Sequence, residues 1–303
     1  MTATRSDSAS LVRAARDAGL VIPAFNIPYL PMMAPVVQAL RDSDCLGMIM
    51  VARLEWVKFS SGSPQAVAAE YQHQKDPRHT RLHLDHVPVI DEDQLQVPYA
   101  EEIRGALDAG YESVMVDGSR LGLAGNIAAT ASICELAQGY GVPVEGELGA
   151  VMGHEAGPMP PYEELFTSGK GFTDPQEARR FVQETGVDWL SVAIGSVHGA
   201  ISAAKRGAAK IRARLSIPQL QAIRAAVDVP FVLHGGTGIG RAYVQQAIAA
   251  GIAKINVATA IRQPYEARMD QDHDAALDGV YTAARRVIDE DLACAGSATR
   301  LGL

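Results

Sequence analysis

The sequence contains few cysteines, and they are not arranged for a disulfide framework or a thiolate metal site. Only three occur among 303 residues, at Cys45, Cys134 and Cys294, and none belongs to a CxxC pair. Disulfide scaffolds and thiolate zinc sites need more cysteines at closer, regular spacing. We therefore expect a protein of a reducing compartment, the cytoplasm.

Basic clusters and long apolar runs are also lacking. The net charge is -8 and the pI is about 5.5, with one basic cluster, over residues 205–214. Nucleic acids and anionic membranes require clustered Lys and Arg. Residues 1–10 lack an apolar signal core, and no apolar run approaches the roughly 20 residues of a membrane span. We expect neither nucleic acid nor a membrane as a partner, although a phosphorylated substrate could use part of the basic cluster.

Short apolar, β-prone runs alternate with stretches of helical periodicity along the whole chain. The eight predicted strands are Val21–Ile27, Leu46–Ala52, Thr80–Val87, Ser113–Asp117, Pro143–Gly149, Trp189–Gly195, Pro230–His234 and Ala253–Thr259. The predicted helices are Leu11–Gly19, Pro31–Ser43, Glu101–Gly110, Asn126–Gly141, Pro175–Gly186, Ile217–Val227 and Arg241–Gly251.

This alternation favours an α/β fold in which a closed (β/α)₈ TIM barrel forms a single domain over residues 1–303. No dinucleotide-binding glycine fingerprint follows the first strand, and no P-loop occurs. The connection over residues 152–174 is long and rich in Gly and Pro, and is expected to lie over the active site at the C-terminal mouth. Residues 263–291 are predicted to be helical, closing the barrel bottom or packing against a partner chain.

Three histidines lie where an apolar run ends. His86 ends the third run, directly after Asp85, His198 follows the sixth run and His234 ends the seventh. Catalytic groups of such barrels come from the C-terminal ends of different strands. Three histidine ligands leave a fourth zinc position open, as in catalytic zinc sites. The pattern therefore predicts a metal centre, with His86 favoured as a ligand over His83, which lies within the strand.

A glycine-rich run follows the seventh strand, Gly235-Gly236-Thr237-Gly238, and polar residues occur at the end of the eighth, Asn256 to Thr259. Barrels often bind phosphate at these two positions through backbone N–H groups and hydroxyls. The glycine run alone is a weak signal, since an ordinary tight turn before the helix at Arg241 would also explain it. Together the two segments predict a phosphate site.

These motifs resemble the class II, zinc-dependent ketose-bisphosphate aldolases, the family of fructose-bisphosphate and tagatose-bisphosphate aldolases. The resemblance extends from Ala24 to about Arg262. Its most specific parts are His83-Leu84-Asp85-His86, Ser113–Ser119, Val144–Gly149, Ala193–Gly199, Leu233–Gly238 and Lys254–Thr259.

The resemblance implies reversible aldol cleavage or condensation of a ketose phosphate or bisphosphate, a sugar phosphate substrate, with dihydroxyacetone phosphate as donor and a zinc-stabilised enediolate. It implies that His86, His198 and His234 hold Zn²⁺. Asp85 matches the general acid/base at the acceptor carbonyl oxygen, and Glu155 is the best match for the carboxylate that removes the donor's α-proton.

Further positions match metal and substrate contacts of the family. Asp117 and Glu147 match positions that hold a second or displaced divalent metal in some members, and some members also bind a monovalent cation near the phosphate. The implied substrate-binding residues are Asn26, Gly199, Gly235, Gly236, Thr237, Asn256, Val257, Ala258 and Thr259.

The sequence departs from the family pattern at four places. Pro28-Tyr29-Leu30-Pro31 follows Asn26, Ala52-Arg53-Leu54-Glu55-Trp56 replaces a serine-containing motif after the second strand, Val87 replaces a glycine and Ala260 an acidic residue. The metal and donor residues are thus retained, while the acceptor side has changed. We expect an acceptor aldehyde other than glyceraldehyde 3-phosphate. Arg53 is predicted to bind an anionic group on it, or alternatively to form a surface ion pair with Glu55.

Two other functions remain open from the sequence. A zinc-dependent hydrolase on the same barrel could use Asp85 to activate water. A non-catalytic paralogue could bind a sugar phosphate as a sensor or scaffold. For the aldolase we expect a homodimer or homotetramer.

Overall fold

The computed structural model describes residues 7–151, 161–198 and 213–303. In these residues, eight parallel strands close into a barrel in sequence order. They are β1 (Ile22–Asn26), β2 (Gly47–Val51), β3 (Thr80–Pro88), β4 (Ser113–Asp117), β5 (Val144–Leu148), β6 (Trp189–Val192), β7 (Phe231–Leu233) and β8 (Ile252–Val257). The predicted (β/α)₈ barrel is confirmed.

Helices surround the barrel. They are α1 (Ser8–Asp17), α2 (Met33–Asp42), α3 (Arg53–Lys58), α4 (Pro64–Gln74), α5 (Tyr99–Asp108), α6 (Leu123–Gln138), α7 (Tyr162–Ser168), α8 (Pro175–Thr185), α9 (Ile217–Ala226), α10 (Arg241–Ala249), α11 (Thr259–Glu266), α12 (His273–Arg286) and α13 (Ser297–Arg300). A 3₁₀ turn over Leu30–Met32 precedes α2, and a π-helical turn over Val287–Asp291 follows α12. Across the described residues, no helix combines the length and apolarity that crossing a bilayer requires.

The barrel strands are buried on both faces, as parallel strands covered by helices must be. Their outward side chains join the helices in one apolar layer. A second cluster contains Met48, Met50 and Trp189 from inside the barrel together with Leu11 and Val12 of α1. Helix α1 therefore closes the N-terminal end of the barrel, which leaves the C-terminal half of the interior to polar side chains.

The C-terminal helical segment lies on the outside of the barrel. Helix α12 packs against α2 and α11. This places the segment in the outer helical layer instead of across the barrel bottom, which α1 occupies.

The connection after β5 contains a helix. Residues 152–160 lie outside the described residues, and α7 occupies much of the remainder of the predicted loop. Tyr162 at the start of α7 donates a hydrogen bond through its hydroxyl to the carbonyl oxygen of Gly195, 3.0 Å away. Since Gly195 follows β6, the described part of this connection contacts the C-terminal mouth.

Candidate active site and metal centre

The three predicted metal ligands meet at the C-terminal mouth of the barrel. The Nε2 atom of His86 lies 2.6 Å from the Nδ1 atom of His234, and the ring of His198 lies 5.3 Å from that of His86 and 6.1 Å from that of His234, centroid to centroid. One ring nitrogen from each histidine lies within 4.8 Å of the others. This spacing allows one ion to contact all three imidazoles.

A bulge in β3 brings His86 into this group. Leu84 pairs with Val114, and Val87 pairs with Val116, so that β3 contains one residue more than β4 between these pairs. The extra residue lies at Asp85-His86, and a bulge of this kind redirects side chains that strict alternation would place on opposite faces. Two consecutive residues of one strand can therefore both serve the site.

Each ring nitrogen of His86 faces a different set of groups. Nε2 faces His234, whereas Nδ1 lies 3.1 Å from Asp117 Oδ2 and 3.6 Å from Glu147 Oε2. His86, Asp117 and Glu147 form a second group of potential ligands. Because a neutral imidazole offers one lone pair, a metal on Nε2 leaves Nδ1–H to donate to Asp117, the usual support of a metal-bound histidine.

The carboxylates around His86 favour positive charge at this position. Burial opposes the imidazolium, but the charges of Asp85 and Glu147 raise the pKa of His86 to about 10. Burial, followed by the charge of Asp117, raises the pKa of Glu147 to about 8. Its Oε2 atom is buried without a hydrogen-bond partner among the described residues. An orphaned buried carboxylate oxygen beside three imidazoles fits a divalent cation.

The imidazole of His234 contacts a buried ion pair through the ring nitrogen that faces away from His86. Its Nε2 atom lies 2.8 Å from Glu145 Oε1, and Lys254 Nζ lies 2.8 Å from Glu145 Oε2. Donation from Nε2–H to this carboxylate leaves the lone pair of Nδ1 directed toward His86. Glu145 and Lys254 thus select the tautomer that a metal ligand needs.

Asp85 accepts hydrogen bonds on both carboxylate oxygens. Asn26 Nδ2 donates to Oδ2 and Asn256 Nδ2 donates to Oδ1, each at 2.9 Å. Burial opposes ionisation, but the electrostatic interaction with His86, the largest favourable contribution, lowers the pKa of Asp85 to about 2. The side chain is therefore ionised and oriented beside the candidate metal centre.

Nearly the whole chain matches a known protein family. The model of the class II fructose-bisphosphate aldolase family matches residues 6–300. The chain belongs to this family. It is therefore an aldolase, a carbon–carbon lyase.

Crystal structures of similar proteins agree with the family. The YdjI aldolase of Escherichia coli K12 is 26% identical, with a TM-score of 0.75, over 97% of this chain and 100% of that chain. A protein of Coccidioides immitis assigned as a fructose-1,6-bisphosphate aldolase is 26% identical, with a TM-score of 0.77, over 97% and 99% of the two chains. The fructose-bisphosphate aldolase of Campylobacter jejuni, at 16% identity and a TM-score of 0.69 over 97% and 96%, shares the fold.

In this aldolase the two predicted phosphate-binding segments lie side by side. Gly236 N donates to the carbonyl oxygen of Asn256 at 3.1 Å, and Ala260 N donates to Thr237 Oγ1 at 3.4 Å. Gly235 has a φ of +69°, and a Cβ on Gly236 would lie 2.4 Å from Ile255 Cγ2, so both positions require glycine. The two segments are therefore in contact, whereas phosphate binding there stays a prediction.

Individual residues of these segments differ in what they expose. The side chain of Val257 packs in the apolar layer outside the barrel, so only its backbone can serve a ligand. Thr259 begins α11, and Ala258 is the residue before that helix. Gly199, like Glu155, lies outside the described residues.

Arg53 is held by acidic neighbours. Its Nε atom lies 3.1 Å from Glu102 Oε1 and its Nη1 atom 3.4 Å from Asp91 Oδ2. The expected alternative, a surface ion pair with Glu55, is wrong, because Glu55 points inward and is 6% exposed. Glu55 Oε2 accepts from Ala52 N at 2.8 Å and from Asn26 Nδ2 at 3.2 Å. The positive charge of Arg53 is therefore already paired with two carboxylates of the protein.

Sequence reasoning missed three supporting residues of the aldolase site, Glu55, Glu145 and Lys254. Glu145 shares strand parity with Glu147, which was a signal that both face the barrel interior. Lys254 interrupts an apolar run, and a buried lysine needs an acidic partner. Glu55 lies in the short helix α3, two residues after Arg53. No local sequence pattern distinguishes it from a surface residue.

Proposed function

We propose that this class II aldolase cleaves a ketose phosphate to dihydroxyacetone phosphate and an aldehyde, and catalyses the reverse condensation. The observation that carries the proposal is the position of Asp85, whose two oxygens are oriented by Asn26 and Asn256 beside the three converging histidines. An aldol reaction needs this pairing of a proton carrier with a centre that stabilises negative charge.

We propose Zn²⁺ as the metal and His86, His198 and His234 as its ligands. Zinc bound there would supply a Lewis acid that stabilises the charge developing on the donor's carbonyl oxygen. Asp117 supports His86, and Glu145 supports His234, through the ring nitrogens that face away from the ion. Asp117 and Glu147 are proposed ligands of the same metal in a displaced position, and a monovalent cation near the phosphate is the alternative additional ion.

Asp85 is proposed to move the proton of the acceptor oxygen. In cleavage, its carboxylate accepts the proton of the hydroxyl group next to the bond that breaks, and in condensation it returns the proton to the aldehyde oxygen. The two amide donors stabilise the carboxylate form and hold it in place. A second carboxylate, proposed as Glu155, exchanges the α-proton of the donor.

The donor's phosphate is proposed to bind the paired segments after β7 and β8. Gly235, Gly236 and Thr237 offer backbone N–H groups and a hydroxyl, and Asn256 to Thr259 lie against them. Gly199 is proposed to complete this site. Since β7 and β8 are neighbours in the barrel, the phosphate would lie at one side of the mouth.

The acceptor is proposed to differ from glyceraldehyde 3-phosphate. Of the departures from the family pattern, Ala52 and Leu54 line the cavity beside the metal centre. Val87 packs in the apolar layer outside the barrel, so its side chain does not contact that cavity. The changes after β2 therefore support an altered acceptor.

A cleavage assay tests this proposal. Zinc-loaded enzyme is incubated with fructose 1,6-bisphosphate, tagatose 1,6-bisphosphate and a panel of ketose 1-phosphates, and dihydroxyacetone phosphate is measured. We expect release of this product from at least one substrate, its loss on chelation, and a kcat/KM for fructose 1,6-bisphosphate below that of another substrate. No dihydroxyacetone phosphate from any ketose phosphate would contradict the donor, and equal efficiency with fructose 1,6-bisphosphate would contradict the altered acceptor.

A further inference from the structure

A cavity of about 260 Å³ opens beside the metal centre on the side away from the proposed phosphate segments. His86, Asp117, Glu147 and His198 line one part of it. Its remaining lining residues are the last residue of β3 and residues that follow β2, β3, β4 and β5, whereas the phosphate segments follow β7 and β8, across the closed barrel. With the donor's phosphate on one side, the acceptor would occupy this cavity on the other.

Arg120 is the arginine that lines this cavity. Its Nη1 atom donates to the carbonyl oxygen of Ile90 at 3.2 Å. Within residues 7–151, 161–198 and 213–303, Arg120 forms no ion pair, in contrast to Arg53 with its two acidic neighbours. Four of the five guanidinium N–H groups thus remain available for an anion.

The carboxylate of Glu92, which also lines the cavity, already has a cationic partner. Glu92 Oε1 lies 2.7 Å from Lys58 Nζ. Asp117 and Glu147 face His86 at the metal centre. A ligand that reaches Arg120 therefore meets a positive charge with no acidic partner among the described residues.

The turn that contains Arg120 is connected to the candidate metal ligands by hydrogen bonds. Ser119 N donates to Asp117 Oδ1 at 2.9 Å, and a Cβ on Gly118 would lie 2.2 Å from Asn126 Oδ1. Asn126 in turn donates to the carbonyl oxygen of Glu147 at 2.8 Å. The backbone of Arg120 thus has a defined position relative to the ligands, which lowers the entropic cost of binding.

The walls between the metal centre and Arg120 are mostly apolar. They are formed by Ala52, Leu54, Pro88, Ala150 and Val151. A hydroxyl group placed against such walls loses its hydrogen bonds to water without replacement. The cavity therefore favours a ligand with an apolar middle and one charged end.

Resting on the proposed function, we propose that Arg120 binds the terminal anion of the acceptor aldehyde, a phosphate or a carboxylate, and that the aldehyde's chain is short and poor in hydroxyl groups. Ser119 lines the same cavity and offers a hydroxyl to the anion. Arg120 is thus a specificity residue, without a part in proton transfer.

The test is condensation of dihydroxyacetone phosphate with four aldehydes. Butanal has no charge, succinic semialdehyde ends in a carboxylate, 3-oxopropyl phosphate ends in a phosphate, and glyceraldehyde 3-phosphate adds a hydroxyl to the last. We expect wild-type kcat/KM for at least one of the two hydroxyl-free anions to exceed that for butanal by about tenfold or more. The better anion identifies the terminal group.

Substitutions of Arg120 show whether the preference for an anionic acceptor depends on its guanidinium group. Arg120→Met is expected to lower kcat/KM for the preferred anion by about tenfold, mainly through KM, and to leave butanal unchanged. Arg120→Lys should recover part of this loss because it keeps charge but not the planar fork. Arg179→Met is the matched control, since Arg179 on α8 is exposed and does not line the cavity.

Exchange of the α-proton of dihydroxyacetone phosphate, measured without an acceptor, tests the proposed donor separately from the proposed acceptor. Normal exchange in Arg120→Met with a selective loss on anionic acceptors supports the proposal. Normal exchange with an equal effect on all four aldehydes contradicts it. A preference for glyceraldehyde 3-phosphate over 3-oxopropyl phosphate contradicts the hydroxyl-poor chain. Absent exchange in zinc-loaded wild type contradicts the donor, and with it the acceptor assignment.

Discussion

The imidazole of His86 contacts a different partner with each ring nitrogen: Nε2 lies 2.6 Å from His234 Nδ1, and Nδ1 lies 3.1 Å from Asp117 Oδ2. The two potential ligand groups therefore share one residue through opposite atoms. Since neutral imidazole has one lone pair, the groups compete for His86. This relationship makes the number and affinity of bound metal ions testable.

We predict one zinc ion per chain and a supporting role for Asp117. Replacing Asp117 with alanine should weaken zinc binding by about 10–100-fold, because Nδ1–H of His86 loses the carboxylate that orients the ring. Zinc affinity is measured by competition with a chromophoric chelator, and stoichiometry by elemental analysis. Two zinc ions per wild-type chain, or wild-type affinity in Asp117→Ala, would contradict this account.

We predict that Asp85→Asn separates the two halves of the reaction. Asparagine cannot accept a proton at neutral pH, so the rate of cleavage and condensation should fall by about 10²–10⁴-fold. Exchange of the donor's α-proton should stay within a few-fold of wild type. Both rates are followed by NMR in deuterated buffer. Parallel loss of both would place Asp85 in the donor step instead.

The stability of the protein should depend on the ionisation of Glu55. Burial, with an added contribution from the charge of Asp85, raises the pKa of Glu55 to about 8 from an ordinary value of 4.5. A carboxyl with a raised pKa in the folded state binds its proton more tightly there. Its contribution to stability is therefore complete below the unfolded pKa and is lost as the pH rises through the folded pKa.

The variant Glu55→Gln carries no titrating group at this position. Its Tm relative to wild type should therefore increase between pH 5.5 and 8.5, by an amount equivalent to about 3 kcal/mol, since wild type loses about 1.4 kcal/mol for each pH unit up to the folded pKa. Thermal unfolding across this range measures the difference. A Tm difference that stays constant with pH, or that decreases, would exclude a raised pKa for Glu55.

We predict that the contributions of Lys254 and Glu145 to the free energy of unfolding depend on each other. Replacing Lys254 with methionine should destabilise the protein by about 3–5 kcal/mol, because it leaves the buried carboxylate of Glu145 without its cation. The additional change Glu145→Gln should recover part of this loss. Chemical denaturation of the single and double variants measures the coupling, and Lys170→Met on the exposed surface is the control. Equal effects of the two lysine changes would exclude the coupling.

The sequence predicted the barrel because its signals are local. Apolar runs such as Leu46–Ala52 are long enough for a strand and too short for a helix, and they recur with helical stretches between them. Boundaries moved by a few residues, as in β6, which ends at Val192 instead of Gly195. In such a barrel the strand ends converge, so it could also be predicted that the backbones at His86, His198 and His234 lie near one another.

Features that depend on strand register could not be predicted. Alternation along β3 places His83 and Asp85 on one face and His86 on the other, yet His86 reaches the site because β3 bulges against β4. A second shift between β7 and β8 lies next to Lys254, whose inward direction was not evident. The burial of Glu55 depends on Ala52 and Asn26 in space, and local sequence does not encode it.

Deuterium exchange at the α-carbon of dihydroxyacetone phosphate, without any acceptor, shows whether the metal centre activates the donor. We expect exchange by the zinc-loaded enzyme, its loss after metal removal, its return on adding Zn²⁺, and its absence together with zinc in His198→Ala. Exchange that persists at the same rate without metal, or no exchange by the zinc-loaded enzyme, would contradict this expectation.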